Sequence, residues 1–243
     1  MISLFKLHFH YLFSWKVVYA TLIIILVSLI SYLLFSRFYL DNNLLVFNAE
    51  YYRIEYYFES LNYLKFLIII YNLFLVINSF AINKYDIFLL IRRSKKQIIT
   101  SKIIVLFIGS TVLIIILYLI FLIIGLYLTP YMQISFKDLA ILGDLIIFSE
   151  AYLLIYITTY LYSNSIYNLL TIIVGFFISD LMIDYNSLKN NASTIAKGLN
   201  LVFISIGYYQ KTGYTLYYGE IYGILLITVL FVIILRKYLN SDF

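Results

Sequence analysis

Three acidic residues lie inside long apolar runs of the sequence and are the side chains best placed for chemistry. Asp144, Glu150 and Asp180 each fall within a stretch that is otherwise mostly apolar. A charge at the middle of a bilayer costs about 2.5–3.5 kcal/mol on insertion scales, so such a residue should face protein or water. Three interpretations stay open. Glu150 hydrogen-bonds Ser, Thr, Asn or Tyr on a neighbouring helix, the three acids line a path for a cationic cargo, or Glu150 carries a proton.

A basic segment between two apolar runs is the second candidate site. Residues 84–102 carry six of the seventeen Lys and Arg residues. Ser94 and Gln97 have the spacing of a capping box, in which the serine hydroxyl accepts from the backbone N–H three residues on and the glutamine side chain bonds back. The spacing predicts a helix that begins after Ser94 and continues through Lys102 into the next apolar run. The candidate docking residues are Arg92, Arg93, Ser94, Lys95, Lys96, Gln97 and Lys102.

Two interpretations of this segment stay open. A helix joined rigidly to a membrane span can transmit motion, because a partner that moves its start must move the span too. Alternatively, the basic residues act only as a topology signal, retained in the cytoplasm by the insertion machinery or by anionic lipid.

Other catalytic and metal chemistry has little support in the sequence. Cysteine is absent and the two histidines are His8 and His10, so we expect neither a thiolate nor a histidine-based metal site. No G-x-x-x-x-G-K-[ST] phosphate loop, H-E-x-x-H or G-x-S-x-G pattern occurs. We therefore predict no catalytic residues, no metal and no cofactor in this chain.

The elements that must position these residues are membrane helices. The 243 residues are 64% hydrophobic and 12% charged, with a mean hydropathy of +0.97, whereas soluble domains carry about 25% charged residues. Lipid must therefore be the solvent for most of the chain. We predict an all-α membrane fold in a single transmembrane domain, 1–243, with six spans at 17–38, 61–83, 103–128, 139–162, 166–184 and 221–235.

The basic residues predict the orientation of these spans. Lys and Arg concentrate beside the cytoplasmic ends of spans. With both termini inside, ten of the seventeen basic residues lie on the inner side, namely Lys6, Lys16, Lys84, Arg92, Arg93, Lys95, Lys96, Lys102, Arg236 and Lys237. The outer segments are longer and hold the other seven, so we predict that the N- and C-termini are both cytoplasmic.

Two further segments are predicted from their polarity. Residues 1–14 place Ser3, Lys6, His10 and Ser14 on one stripe at helical spacing, which favours an amphipathic helix in the inner interface, with Trp15 at the turn into the first span. The alternative is a simple extension of the first span. The outer segment 185–220 contains an apolar stretch, 196–209, that is too short to span and suits short re-entrant helices.

The basic segment resembles the corresponding segment of a known protein family. Phe88-Leu89-Leu90-Ile91, then Arg92-Arg93-Ser94-Lys95-Lys96, then Ile98-Ile99 and Ser101-Lys102 are similar to the coupling-helix region of the permease subunits of type-two ATP-binding-cassette exporters. The family's usual proline near the basic pair is missing. The six-span layout with an interfacial helix and outer re-entrant helices is also similar to that family.

The resemblance implies a transport subunit rather than an enzyme. It implies a second permease copy or paralogue and separate ATPase subunits that hold ATP and Mg²⁺, in a bacterial plasma membrane and without a nucleic-acid partner. The cargo would be an amphipathic or antimicrobial peptide or a lipid-like molecule. Two rival functions remain: a secondary transporter or channel that uses Glu150, and a non-transporting immunity or sensor protein.

Overall fold

The computed structural model describes residues 2–12, 14–41, 62–80, 94–128, 136–163, 165, 167–172, 174 and 217–240. These residues are almost entirely helical and contain no strand. Because lipid offers no hydrogen-bond partner, a chain this apolar satisfies its backbone within helices. The helices are α1 (Ile2–Leu12), α2 (Trp15–Asp41), α3 (Asn62–Phe80), α4 (Lys95–Leu128), α5 (Phe136–Ser163) and α6 (Tyr217–Leu239). Residues 167–172 form a further short helical stretch.

Two described helices are long and apolar enough to cross a membrane. They are the stretches Lys95–Ile120 of α4 and Leu145–Ser163 of α5. A third qualifies if α1 and α2, which meet at an angle of 60°, are taken as one bent span. The apolar stretch Leu67–Phe80 of α3 is shorter than a full span. The chain is therefore all-helical in its described part, with the helices of a membrane protein.

Contacts near the helix ends give the relative directions of α3, α4 and α5. The Lys102 Nζ, near the start of α4, lies 5.2 Å from the ring centroid of Phe80 at the end of α3. The ring of Phe80 is in turn 5.4 Å, centroid to centroid, from that of Tyr160 near the end of α5. Helix α4 therefore runs antiparallel to both α3 and α5, which run parallel to each other.

Helix α6 runs parallel to α5, its main neighbour. Near their ends, the Lys237 Nζ lies 4.9 Å from the centroid of the Tyr162 ring. Nearer their starts, Gly223 packs so closely on Ile147 that a Cβ at position 223 would overlap the isoleucine Cγ2. Both helices therefore end on the same side of the bundle.

Several described basic side chains lie at one end of the bundle. We call the basic end the end where α4 begins and α3, α5 and α6 finish; it carries Lys95, Lys96, Arg236 and Lys237. Helix α1 packs against α4 and α3. Its Leu4 and His8 are buried, while Lys6 and His10 are exposed. Trp15, the first residue of α2, is 76% exposed.

The core lies among α3, α4 and α5. Ile68, Leu75, Leu106, Leu153 and Tyr156 are fully buried there. Helices α2 and α6 leave large apolar side chains uncovered, among them Leu22, Ile23, Leu26, Ile224, Leu225 and Val229. Such uncovered apolar faces suit a lipid environment, where an exposed isoleucine carries no penalty.

The helix bounds agree with the predicted spans except at the start of α4. Predicted spans 17–38, 61–83, 139–162 and 221–235 correspond to α2, α3, α5 and α6 with shifts of a few residues. Helix α4 begins eight residues before the predicted span 103–128, as the capping box predicts. Most of predicted span 166–184 and all of segment 185–216 lie outside the described residues, as do 81–93.

Candidate functional sites at the start of α4 and at the middle of the bundle

A serine cap fixes the start of α4. The Ser94 Oγ accepts a hydrogen bond from the Gln97 backbone N–H at 3.4 Å. The Ser94 carbonyl accepts from the Ile98 N–H at 3.2 Å, which is the first bond of the helix. The forward half of the predicted capping box is therefore present, and it stops α4 from fraying back toward the loop.

The first turns of α4 are amphipathic. Ser94, Lys96 and Gln97 are exposed and Lys95 is half-buried. Ile98 and Ile99 are fully buried in the bundle. The predicted docking residues thus separate from their apolar neighbours onto an accessible face. Arg92 and Arg93, which were also predicted to be docking residues, lie outside the described residues.

Lys102 behaves differently from the other predicted docking residues. Its side chain is 4% exposed, and its Nζ lies over the Phe80 ring at 5.2 Å. A cation over an aromatic face is stabilised by the ring quadrupole, more so when desolvated. Lys102 therefore points into the bundle and binds α4 to α3, rather than facing a partner.

Helices α3, α4 and α5 carry adjacent polar residues near their midpoints. These six residues, which we call the polar layer, are Tyr71, Asn72, Ser110, Thr111, Ser149 and Glu150. Each pair sits near the centre of its helix, so the layer lies at one depth across the bundle. Membrane helices place polar side chains toward one another because lipid cannot hydrogen-bond them.

The centre of the polar layer is a closed hydrogen-bonded ring. The Asn72 Nδ2 donates to the Ser149 carbonyl at 2.9 Å and to the Ser149 Oγ at 2.8 Å. The Ser110 Oγ donates to the Asn72 Oδ1 at 2.9 Å and is also hydrogen-bonded to the Ser149 Oγ. A hydroxyl has one proton, so Ser149 donates to Ser110 when Ser110 donates to Asn72. All three side chains are buried.

The edges of the polar layer make two more contacts between helices. The Thr111 Oγ1 donates to the Glu150 Oε1 at 3.2 Å, between α4 and α5. The Tyr71 hydroxyl is hydrogen-bonded to the Thr21 Oγ1 at 3.1 Å, between α3 and α2. Glu150 and Thr111 are half-buried, and no described basic side chain pairs with the carboxylate.

The three predicted acids have different outcomes. Glu150 hydrogen-bonds a threonine on the neighbouring helix, which is the contact that the first interpretation expected; the contact does not test cargo binding or proton transfer. Asp144 lies on α5, but its side chain is outside the described residues. Asp180 is also outside the described residues. Whether the three acids lie together is therefore a question outside the described residues.

Asn72, Ser110 and Ser149 were not predicted from the sequence as residues of a site. Each stands beside one other polar residue in an otherwise apolar run, and a polar side chain in lipid has to find a partner. The sequence shows that these polar residues need partners. It does not show which of them pair, because the pairing depends on the relative register of three helices. Within the described residues no group of three His, Asp or Glu could hold a metal ion.

Comparison with models of known protein families, with curated proteins and with solved structures finds no match for this chain. The function therefore has to be argued from the residues and contacts described above.

Proposed function

We propose that this chain is the membrane-spanning permease subunit of an ATP-driven exporter whose ATPase is a separate subunit. The observation that supports the proposal most directly is the continuity of α4. A serine-capped, basic and accessible helix start leads without a break into an apolar stretch long enough to span.

The length of α4 makes it suitable for transmitting force. Its 34 residues correspond to about 51 Å at 1.5 Å per residue, whereas the hydrocarbon core of a bilayer is about 30 Å thick. One end therefore extends well beyond the lipid tails. An ATPase that moved the exposed Lys96 and Gln97 would move the buried part of the same helix, because a helix is stiff along its axis.

The directions of the helices support the proposed six-span topology. Helices α5 and α6 are parallel, so an odd number of crossings must separate them, and the predicted span 166–184 would supply one. The basic end then corresponds to the cytoplasmic side of a bacterial plasma membrane, with both termini inside. Helix α1 packs against α4, as expected if it lies in the inner interface.

The other parts of the proposal follow from the resemblance. Two permease copies or paralogues would face each other, and the partner ATPase subunits would hold ATP and Mg²⁺. Glu150, with Asp144 and Asp180, would line the path of an amphipathic peptide or lipid-like cargo. The half-buried carboxylate of Glu150 has a neutral partner, so a cationic group on the cargo could approach it.

Charge reversal at the start of α4 tests the proposal. Lys95→Glu/Lys96→Glu, alone and with Arg92→Glu/Arg93→Glu, should abolish co-purification of an ATPase with the tagged chain while membrane insertion persists. Arg236→Glu is the matched control, because it reverses an exposed charge at the same end of the bundle on α6. An ATPase that is never captured, or one that all the charge variants retain, would contradict the proposal.

A secondary transporter that uses Glu150 is the alternative with an observation behind it. The carboxylate lies near the middle of α5 with a neutral hydrogen-bond partner, which is an arrangement that a proton carrier could use. Glu150→Gln separates the two functions. It should stop proton-driven flux that needs no ATPase, whereas it should leave ATPase capture by the start of α4 unchanged.

A further inference from the structure

We propose that the Asn72–Ser110–Ser149 ring locks α3, α4 and α5 into one body that keeps its register while the protein works. The inference rests on the proposed function in one respect, namely that the force enters at the start of α4. The cohesion of the three helices is a property of the ring itself.

The geometry of the ring resists sliding in every direction. Asn72 bonds both the side chain and the backbone carbonyl of Ser149, at 2.8 and 2.9 Å. Its other amide atom is held by Ser110. A shift of α4 or α5 by one residue, about 1.5 Å, would break several of these bonds at once. In the buried interior the freed groups would find no water.

The described contacts between α5 and α6 are of a different kind. Between α5 and α6 the close contact is apolar, with Gly223 against Ile147, and the polar contact is a lysine over a ring at the bundle end. Apolar surfaces can slide past each other in small steps without leaving a polar group unpaired. The seam between α5 and α6 is therefore the place where movement costs less.

Motion delivered to α4 would then carry α3 and α5 with it. The Lys102–Phe80–Tyr160 stack joins the same three helices again near the basic end. Two points of attachment, one at the basic end and one at mid-depth, keep the body from twisting as well as from sliding. Glu150 and Thr111 move together because they sit next to Ser149 and Ser110.

A disulfide between α4 and α5 tests the proposal directly. The chain has no cysteine, so Ser110→Cys/Ser149→Cys can form a single defined bond, and the close approach of the two Oγ atoms suits it. Val112→Cys/Ser149→Cys is the matched control, since Val112 is exposed on another face of α4. The first pair should oxidise in membranes at least about tenfold faster than the control, because its thiols are held together.

The second readout is ATP hydrolysis by the co-purified ATPase, before and after oxidation. We expect the locked protein to be as active as its reduced form. Loss of hydrolysis on locking, or oxidation no faster than in the control, would overturn the proposal. If no ATPase co-purifies, the proposed function fails, but the oxidation rate still decides whether the pair stays adjacent. Should the serine variants not insert, a bifunctional thiol reagent with a short spacer across Asn72→Cys/Ser149→Cys tests the same cohesion between α3 and α5, because the length of the Asn72 side chain leaves a gap too wide for a direct disulfide.

Discussion

At the scale of single residues, hydrogen bonding separates two kinds of buried polar side chain. Asn72 bonds two neighbouring helices, whereas Ser28 on α2 is equally buried and its Oγ has no hydrogen-bond partner among the described residues. Removing a bonded group leaves its partners unsatisfied, while removing an unbonded hydroxyl leaves nothing behind. The two residues therefore allow a matched comparison of the polar layer with the rest of the bundle.

Asn72→Ala should destabilise the protein and Ser28→Ala should not. Hydrogen bonds between membrane helices average about 0.6 kcal/mol and reach about 1.7 kcal/mol, so the loss of the Asn72 contacts should cost roughly 1–3 kcal/mol. The measurement is the free energy of unfolding in mixed micelles. Equal effects of the two substitutions would mean that the ring adds no stability.

At the scale of helices, the contact between α5 and α6 depends on a missing side chain. A Cβ at Gly223 would overlap the Cγ2 of Ile147, which is a β-branched residue with a stiff χ1 angle. The isoleucine cannot turn aside easily, so α6 would have to move away from α5.

Gly223→Ala should therefore weaken the packing of α6, by about 1–3 kcal/mol as for other overpacked sites. Ile147→Ala introduced together with it should recover part of that loss by making room. Thermal unfolding of the two single variants and the double variant in detergent gives the interaction energy. Strictly additive effects would show that the two residues do not touch.

The serine cap of α4 is a second feature at the scale of helices. Ser94→Ala removes the acceptor for the Gln97 N–H and should cost about 0.5–1 kcal/mol, toward the low end because the bond is 3.4 Å long. Ser94→Asp should keep the cap. Hydrogen exchange of the Gln97 and Ile98 amides is the measurement, with faster exchange expected in the alanine variant only. Unchanged exchange in Ser94→Ala would mean that packing of Ile98 and Ile99 alone holds the start of α4.

The helices were largely predictable from the sequence, and their pairing was not. Apolar run length predicted helices that correspond to α2, α3, α4, α5 and α6, and Ser94 with Gln97 predicted the early start of α4. Lys102 was grouped with the docking residues because spacing cannot tell that its side chain turns inward onto Phe80. The polar layer was not predicted for a related reason. Asn72, Ser110 and Ser149 lie 38 and 39 residues apart in the sequence, and only the packing of the helices brings them together.

At the scale of the whole molecule, charge and polarity are arranged by depth. Lys95, Lys96, Arg236 and Lys237 lie at the basic end, the polar layer lies near the helix midpoints, and large apolar side chains on α2 and α6 are uncovered. The proposed docking site at the basic end and the proposed locked body behind it would let a partner on one side of the membrane move the bundle.

Photo-crosslinking from position 96 tests this account most directly. A benzophenone amino acid in place of Lys96 in living cells should form an adduct with a phosphate-loop ATPase, and the yield should change when vanadate traps the ATPase. The same probe in place of Arg236 is the control for general proximity at the basic end. An adduct that lacks any ATPase would contradict the account. Labelling of a Lys96→Cys variant by thiol reagents that are added outside the cell and do not cross the membrane would also contradict it.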